Sequence, residues 1–394
     1  MTGNLNASGK PATAASGYLS QVLQASGGGV IDPTTLLTNV EAASNAGVPL
    51  FSTAPGSNVL TLSGVTKGTI ADPVPTASFT VTPTSTVGDL LSFYNSSMGI
   101  DTSVAGPPVP GAAVDPTGSM ITITGNAGTA NSLQMGVASL KDAAQFSPLA
   151  MSPDPTAKAN GESVQTTAVA YDSLGQQVTL HINAVMESVN PTGGTSWRFY
   201  VTSPDNAAGN LTVGNGTLDF DGSGQLTKTT GGLITLDRTG SGANTSLPIT
   251  IDFSGISALG QKTSTIKENN QDGSSAGTLT DFSIGTDGTI IGAYSNGLNK
   301  TLGQVVLAKF NNPEGLTDEG GNLYSAGSNS GIPVIASAGS LGMGDIRGQS
   351  LELSNVDLSN EFINLIVAST GFTAASRVIT TSNQLLTELL NTSR

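Results

Sequence analysis

The most informative stretch of this chain is residues 358–390, LSNEFINLIVASTGFTAASRVITTSNQLLTELL. One apolar line repeats every seven positions in it, at Leu358, Leu365, Phe372, Ile379 and Leu386. A second heptad line is apolar only at its two ends, and it comprises Phe362, Ser369, Ser376, Asn383 and Leu390. A heptad pattern of this kind predicts an α-helix that packs closely along another helix.

The start of this helix is also marked. Asp357 or Ser359 can cap its first turn, and Glu361 is well placed near the positive end of the helix dipole. A Gly-rich segment, residues 339–348, precedes it and predicts a hinge. The helix can dock on its own chain or pack between subunits. Packing between subunits is favoured by the small or polar residues in the middle of the second line, by the preceding hinge and by the terminal position of the helix.

Composition restricts the rest of the chain. Its 394 residues allow about two to four domains. Charged residues make up only 11%, aromatic residues 5%, and glycines number 50, which is typical of strands and turns with a Ser/Thr/Gly/Asn surface. A hydrophobic content of 37% still suffices for several small cores. We therefore expect a mainly β, multi-domain protein.

Charge and cysteine content exclude several functions. The net charge of −14 argues against nucleic-acid binding, because phosphate backbones repel such a chain. Cysteine is absent, so neither disulfides nor thiolate chemistry is expected. This absence fits an exported protein, although many cytosolic proteins share it. The first residues lack a signal-peptide core, and no window resembles the roughly 18 apolar residues of a membrane helix, so membrane insertion is not expected.

Strand and turn patterns suggest five segments. The predicted domains are a connector (1–30), an inserted mixed α/β domain (31–150), a sandwich- or barrel-like β domain (160–262), a second β domain (263–345), and a hinge with the C-terminal helix (346–394). Within them, Thr86 is expected to cap a short helix, and Asp287-Gly288 to form a hairpin turn. Val305 to Ala308 is expected to be a buried strand.

No residue set predicts catalysis, a metal site or a cofactor. The single histidine, His181, lies in an alternating strand pattern without a nucleophile or base nearby in sequence. Asp219 to Gly224 weakly resembles a calcium loop, but Thr230 stands where an EF-hand needs a glutamate, so a tight turn is expected. Trp197 lies in a strand pattern and is expected in a core.

Several separated motifs resemble the bacterial flagellar hook protein, a member of the rod, hook and axial protein family. They are Val169 to Gly175, Gln271-Asp272-Gly273, Asp287 to Gly297, Leu302 to Phe310 and Asn322-Leu323-Tyr324. The tail carries the signature of flagellar rod and hook subunits at Asn355, Val356, Asp357, Leu358 and Ser359. The resemblance is good over residues 160–394 and weaker over 31–150, which look like the outer domain of larger hook proteins.

The resemblance implies a structural subunit rather than an enzyme. Such a subunit is exported by the flagellar type III apparatus and self-assembles outside the cell into a curved tube that passes torque from rod to filament. Its implied partners are other copies of itself, the rod, the hook cap and the hook–filament junction proteins. The residues expected to drive assembly are Leu358, Phe362, Leu365, Ile366, Phe372, Ile379, Leu386 and Leu390.

Two features depart from the family pattern. Family members carry an N-terminal helix that pairs with the C-terminal one, and this sequence shows no such segment, so self-assembly of this chain alone is open to question. Ser369-Thr370-Gly371 also stands where the family often has Gln-Arg. The alternatives are an adhesin-like or glycan-binding β protein, and another axial protein such as a distal-rod or hook-associated subunit.

Overall fold

The computed structural model describes residues 1–105, 108–191 and 193–392. These residues form two compact units, 1–277 and 278–394. The chain is mainly β, as the sequence predicts, with many small sheets and a long C-terminal helix. The 3₁₀ turns are Leu37–Asn39, Ala43–Asn45, Thr129–Asn131 and Pro313–Gly315.

The first unit contains two hydrophobic cores. Its N-terminal elements are β1 (Thr2–Asn6), β2 (Ala15–Leu19), β3 (Leu23–Ala25), β4 (Val40–Ala42), β5 (Val59–Leu62), β6 (Thr66–Lys67), β7 (Asp72–Pro73), β8 (Ala77–Thr80), α1 (Val87–Ser97), β9 (Gly111–Val114), β10 (Ile121–Ala127), β11 (Leu133–Gln134) and β12 (Leu140–Lys141). Its later strands are β13 (Ser163–Tyr171), β14 (Gln177–Val189), β15 (Thr195–Thr202), β16 (Thr212–Phe220), β17 (Leu226–Thr229), β18 (Leu233–Asp237), β19 (Ser246–Thr250), β20 (Gly255–Leu259) and β21 (Thr265–Lys267).

The first core lies within the inserted domain, where α1 contacts β8 and β9, which belong to two three-stranded sheets. Thr86 caps this helix as predicted: its Oγ1 accepts from the Asp89 N–H, and Asp89 Oδ2 accepts from the Thr86 N–H over 2.8 Å. The helix buries Leu90 and Tyr94 against strands of these sheets. The first turn of α1 is therefore satisfied locally, and the helix presents one apolar face to the sheets.

The second core belongs to the β domain. Strands β13 to β17 form an antiparallel meander in sequence order, and alternate residues of β14 and β15 point into the core. Trp197 is fully buried there, as predicted, and its Nε1 donates to Thr195 Oγ1 over 3.1 Å. Phe199 packs against Phe253, with ring centroids 4.6 Å apart and ring planes tilted by 41°.

The expected connector, residues 1–30, is instead part of both cores. Strand β1 pairs in parallel with β20 and antiparallel with β21, and Leu5 is fully buried in the second core. Tyr18 and Leu23 belong to the first core. The prediction failed because small and polar residues dominate this stretch, while its few apolar side chains reach cores built from distant sequence.

The boundary expected between the two β domains also moves. Strand β21 pairs with β1, so residues 263–277 belong to the first unit and the second begins at Thr278. The second unit contains β22 (Leu279–Ile284), β23 (Thr289–Tyr294), β24 (Asn299–Gln304), β25 (Val306–Lys309), β26 (Thr317–Gly320), β27 (Leu323–Ser325), β28 (Val334–Ser337) and α2 (Leu358–Thr392). The Asp287-Gly288 hairpin forms between β22 and β23 as predicted.

The second unit lacks a core of large side chains in its described part. Among residues 278–392, the buried positions are Gly288, Gly292, Ser330 and Ala338, all small. The predicted burial of Val305 to Ala308 is therefore wrong, since Val306 is 54% exposed. The strand itself forms as β25 and pairs with β28. Its apolar pattern gives a strand, but no other part of this unit covers it.

Candidate assembly interface

Helix α2 is the largest uncovered apolar element of the structure. Its 35 residues correspond to a length of about 52 Å at 1.5 Å per residue. All eight side chains predicted to drive assembly are 59–79% exposed, and these are Leu358, Phe362, Leu365, Ile366, Phe372, Ile379, Leu386 and Leu390. Contiguous exposed apolar surface on this scale marks an interaction site.

The start of α2 is held by the signature motif. Asp357 Oδ1 accepts from the Ser359 N–H over 2.9 Å, and Asp357 Oδ2 accepts from the Asn360 side chain over 2.8 Å. Asp357, rather than Ser359, is therefore the cap. The other signature residues, Asn355 and Val356, precede the helix in irregular, exposed backbone. The motif thus fixes where the exposed helix begins.

The apolar surface of α2 extends beyond the two heptad lines. Five further side chains outside those lines are also 56–69% exposed, namely Ile363, Val367, Val378, Leu385 and Leu389. A helix that is apolar on every side is suited to being surrounded. The heptad pattern does not include these residues, although the apolar composition of 358–390 contains the signal.

Threonines between the apolar lines bond to their own helix. Thr373, Thr380 and Thr387 donate from Oγ1 to the carbonyl oxygens four residues earlier, over 2.7–2.8 Å. Thr370 and Thr381 also donate to the carbonyl oxygens four residues earlier, over 2.6 and 2.9 Å. Such hydroxyls leave no unsatisfied donor. The polar residues of α2 are therefore compatible with burial against another helix.

The hydropathy of α2 corrects one expectation from the sequence. This helix contains an 18-residue window with a mean hydropathy of 1.4, enough by length and composition to cross a membrane, and none of that window is buried. Frequent Ser and Thr interrupt the apolar residues of this window, which is why no membrane-spanning window was expected from the sequence. Packing against other protein surfaces would shield the same apolar side chains from water.

A second uncovered apolar patch lies on the sheet of β22, β23 and β24. Leu279 and Leu302 converge over Gly292, where an added Cβ would lie 2.7 Å from Leu279 Cδ1 and 2.9 Å from Leu302 Cδ1. Both leucines remain about half exposed, as does Phe282. The absence of a side chain at Gly292 thus leaves room for the two leucines to converge into an apolar patch. This patch was not predicted from the sequence.

The residues weighed for other chemistry have structural roles. His181 Nδ1 lies 2.8 Å from Asp72 Oδ2 and joins β14 to β7 of the inserted domain. Asp221 Oδ1 accepts from the N–H groups of Ser223 and Gln225, each over 2.9 Å, so the Asp219–Gly224 segment is a satisfied turn. Within the part of the chain that the structure describes, no three metal-capable side chains cluster.

Comparisons with known families cover two regions. The "Flagellar basal body protein FlaE D2 domain" model matches residues 139–274, and the "Flagellar basal body rod FlgEFG protein C-terminal" model matches 347–392. Flagellar hook protein FlgE of Salmonella typhimurium is 36% identical over 228 residues, which cover 57% of this chain and 54% of that protein. Over these regions the chain is similar to flagellar hook proteins and to flagellar basal body rod proteins.

Other hook proteins show the same extent of similarity. FlgE of Escherichia coli is 32% identical over 246 residues, covering 61% of this chain and 58% of that protein. FlgE of Treponema pallidum is 34% identical over 282 residues, covering 61% of this chain and 60% of that protein. The chain thus spans little more than half the length of the curated relatives it matches. The crystal structure of Helicobacter pylori flagellar hook protein FlgE2 aligns with 18% sequence identity and a TM-score of 0.31. The alignment covers 83% of this chain and 74% of that chain.

Proposed function

We propose that this chain is a structural subunit of the bacterial flagellar hook, which assembles with copies of itself into a curved tube outside the cell. The observation that carries the proposal is α2, a long helix with exposed apolar residues on every side, in the region that matches the rod and hook C-terminal family. The relatives that match over the β domain and the tail are named flagellar hook proteins. These matches favour a hook subunit over an adhesin-like protein or another axial subunit.

The mechanism is mechanical. Helices such as α2 would line the inside of the tube, where each is enclosed by helices of neighbouring subunits. Head-to-tail contacts that do not close into a ring would extend the tube indefinitely. The β domains would form the outer layers. Their sparsely charged surfaces suit contacts that must exchange as a bent tube rotates, because exposed polar contacts contribute little energy individually.

Polar residues within α2 support packing in protein rather than in lipid. Asn364, Arg377 and Asn383 are distributed along the helix, and such side chains are costly in a hydrocarbon environment. Between helices, each can reach a polar partner on a neighbouring subunit. The implied partners are the rod, the hook cap, the hook–filament junction proteins and the export apparatus. We propose no catalytic activity.

The test replaces one apolar residue of α2 in the chromosomal gene. Leu365→Asp should abolish hook assembly and motility, because it places a charge in the helix interface. The purified variant should keep the near-ultraviolet circular dichroism signal of the buried Trp197. The matched control is Leu365→Met, which keeps an apolar side chain at the same position and should retain hooks in electron micrographs of sheared flagella. Normal hooks and motility in the Leu365→Asp strain would overturn the proposal.

A further inference from the structure

Three buried polar side chains meet inside the inserted domain. Lys67 ends β6, Asn126 lies in β10, and Asp101 follows α1. Their exposures are 8%, 2% and 6%. A lysine so deeply buried is unusual, because transfer of an ammonium group from water to a protein interior is costly.

The backbone of residues 99–101 brings the lysine and the asparagine together. Lys67 Nζ and Asn126 Nδ2 each donate to the Gly99 carbonyl oxygen over 3.1 Å. The Asp101 N–H donates to Asn126 Oδ1 over 2.9 Å. Asn126 Nδ2 faces a backbone acceptor, and Asn126 Oδ1 faces a backbone donor. The orientation of the Asn126 amide is therefore unambiguous.

The environment also favours the uncharged amine. Burial lowers the pKa of Lys67 to about 8, and the nearby Asp101 carboxylate only partly offsets this effect. An appreciable fraction of the amine is therefore neutral and nucleophilic at neutral pH. The Asp101 carboxylate is itself fixed, since its Oδ1 accepts from the Ser103 N–H over 3.0 Å and its Oδ2 accepts from the Asn215 side chain.

These groups have the roles that amide exchange requires. The amine of Lys67 is the nucleophile, and the Asn126 carboxamide carbon is the electrophile. The Asp101 N–H is placed to stabilise negative charge on Asn126 Oδ1. The nearby Asp101 carboxylate favours the positive charge that develops on Nζ as it attacks. We propose that Lys67 and Asn126 form an intramolecular isopeptide bond in the folded protein.

The reaction balances without a cofactor or an oxidant. The Nζ lone pair attacks Asn126 Cγ, forming the new C–N bond. One proton passes from Nζ to Nδ2, the Cγ–Nδ2 bond breaks, and ammonia leaves. The product has lost one nitrogen and three hydrogens. The bond would join β6 to β10 covalently, so that pulling on this domain could not separate these strands.

The decisive measurement is the intact mass of the purified full chain. The wild-type protein should be lighter than its sequence mass by about 17 Da, the mass of ammonia. Tryptic digestion should give a branched peptide that joins Lys67 to Asn126, with no cleavage after Lys67. A wild-type protein at its full sequence mass would overturn the proposal, whatever the variants show.

Variants locate the bond. Lys67→Met and Asn126→Ala should each have their full sequence masses, while Lys141→Met, which removes a lysine from strand β12 of the same domain, should keep the loss. Asn126→Asp should lose water, about 18 Da, and give a product of the wild-type mass. A loss of ammonia that persists in Lys67→Met would assign it to another residue and equally overturn the proposal.

Discussion

Arg238 Nη2 donates to Asp172 Oδ2 over 3.0 Å, and both side chains are largely shielded from water within the β domain. Asp172 Oδ1 also accepts from the N–H groups of Leu174 and Gln176 in the turn after β13. Arg238 donates to the Asp205 carbonyl oxygen as well. This ion pair therefore fastens the first turn of the meander to the loop between β18 and β19.

The first prediction concerns the pH dependence of this pair. Burial alone would raise the pKa of Asp172, but hydrogen bonds from the Gln176 N–H and from Arg238 outweigh burial and leave the pKa below its usual value. A folded-state pKa below the unfolded one gives stability that is present above the unfolded value of about 3.9 and is lost as the pH falls through the folded value.

Asp172→Asn should therefore destabilise the domain at pH 7 by about 3 kcal/mol, because Arg238 loses its charged partner. The difference from wild type should shrink as the pH falls toward 3. Urea unfolding, followed by the fluorescence of Trp197, measures both effects. Asp154→Asn removes an exposed carboxylate from the same unit and should change little. An Asp172→Asn difference that stays constant from pH 7 to pH 3 would contradict this assignment.

A second prediction concerns the junction between the two cores of the first unit. Asn183 in β14 is 3% exposed, and its Nδ2 donates to the Ala130 carbonyl oxygen over 3.1 Å and to Asn131 Oδ1 over 3.0 Å. Asn183→Ala leaves two buried acceptors without this donor, which costs about 1–3 kcal/mol. Hydrogen exchange should accelerate in the turn Thr129–Asn131, whereas exposed Asn270→Ala should not alter it. Unchanged exchange in Asn183→Ala would show that the junction does not depend on this amide.

Local signals in the sequence predicted local structure well. The Thr86 cap, the Asp287-Gly288 hairpin and the Asp357 helix start each depend on residues a few positions apart, and the structure contains all three. Pairing between distant segments was not predictable. Strand β1 pairs with β20 and β21, which lie about 250 residues later, and no pattern in residues 1–30 indicates those partners.

Burial in the second unit was misjudged for a different reason. An apolar strand pattern, as at Val305 to Ala308, indicates that a face will be covered, but not by which chain. The same ambiguity applies to α2, for which the sequence left docking on its own chain open. The exposed apolar residues of α2 and of Leu279, Phe282 and Leu302 are consistent with coverage by other subunits.

A third prediction tests the role of the signature aspartate. Asp357 caps α2, so Asp357→Ala should remove the partners of the Ser359 N–H and the Asn360 side chain and cost about 1 kcal/mol of helix stability. Amide exchange in the first turn should accelerate, and Asp357→Ser should restore most of the protection because serine caps helices comparably. Equal exchange rates in Asp357→Ala and wild type would mean that the motif serves another purpose.

The last prediction separates one-sided from all-round packing of α2, and it depends on the proposed hook assembly. A two-helix contact would bury only the two heptad lines, leaving Leu385 and Val378 in water. Both lie off those lines, and each is at least 60% exposed in the single chain. If neighbouring helices enclose α2, Leu385→Asp should reduce hook number and motility nearly as strongly as Leu365→Asp.

Leu385→Met is the matched control, since it keeps an apolar side chain at the same position and adds no charge. Hooks counted in electron micrographs, together with swimming speed, distinguish the two arrangements. Wild-type hooks in Leu385→Asp, beside their loss in Leu365→Asp, would show that α2 packs along one face only. In that case the apolar residues off the heptad lines would remain exposed to the lumen or to water, which their hydropathy makes unfavourable.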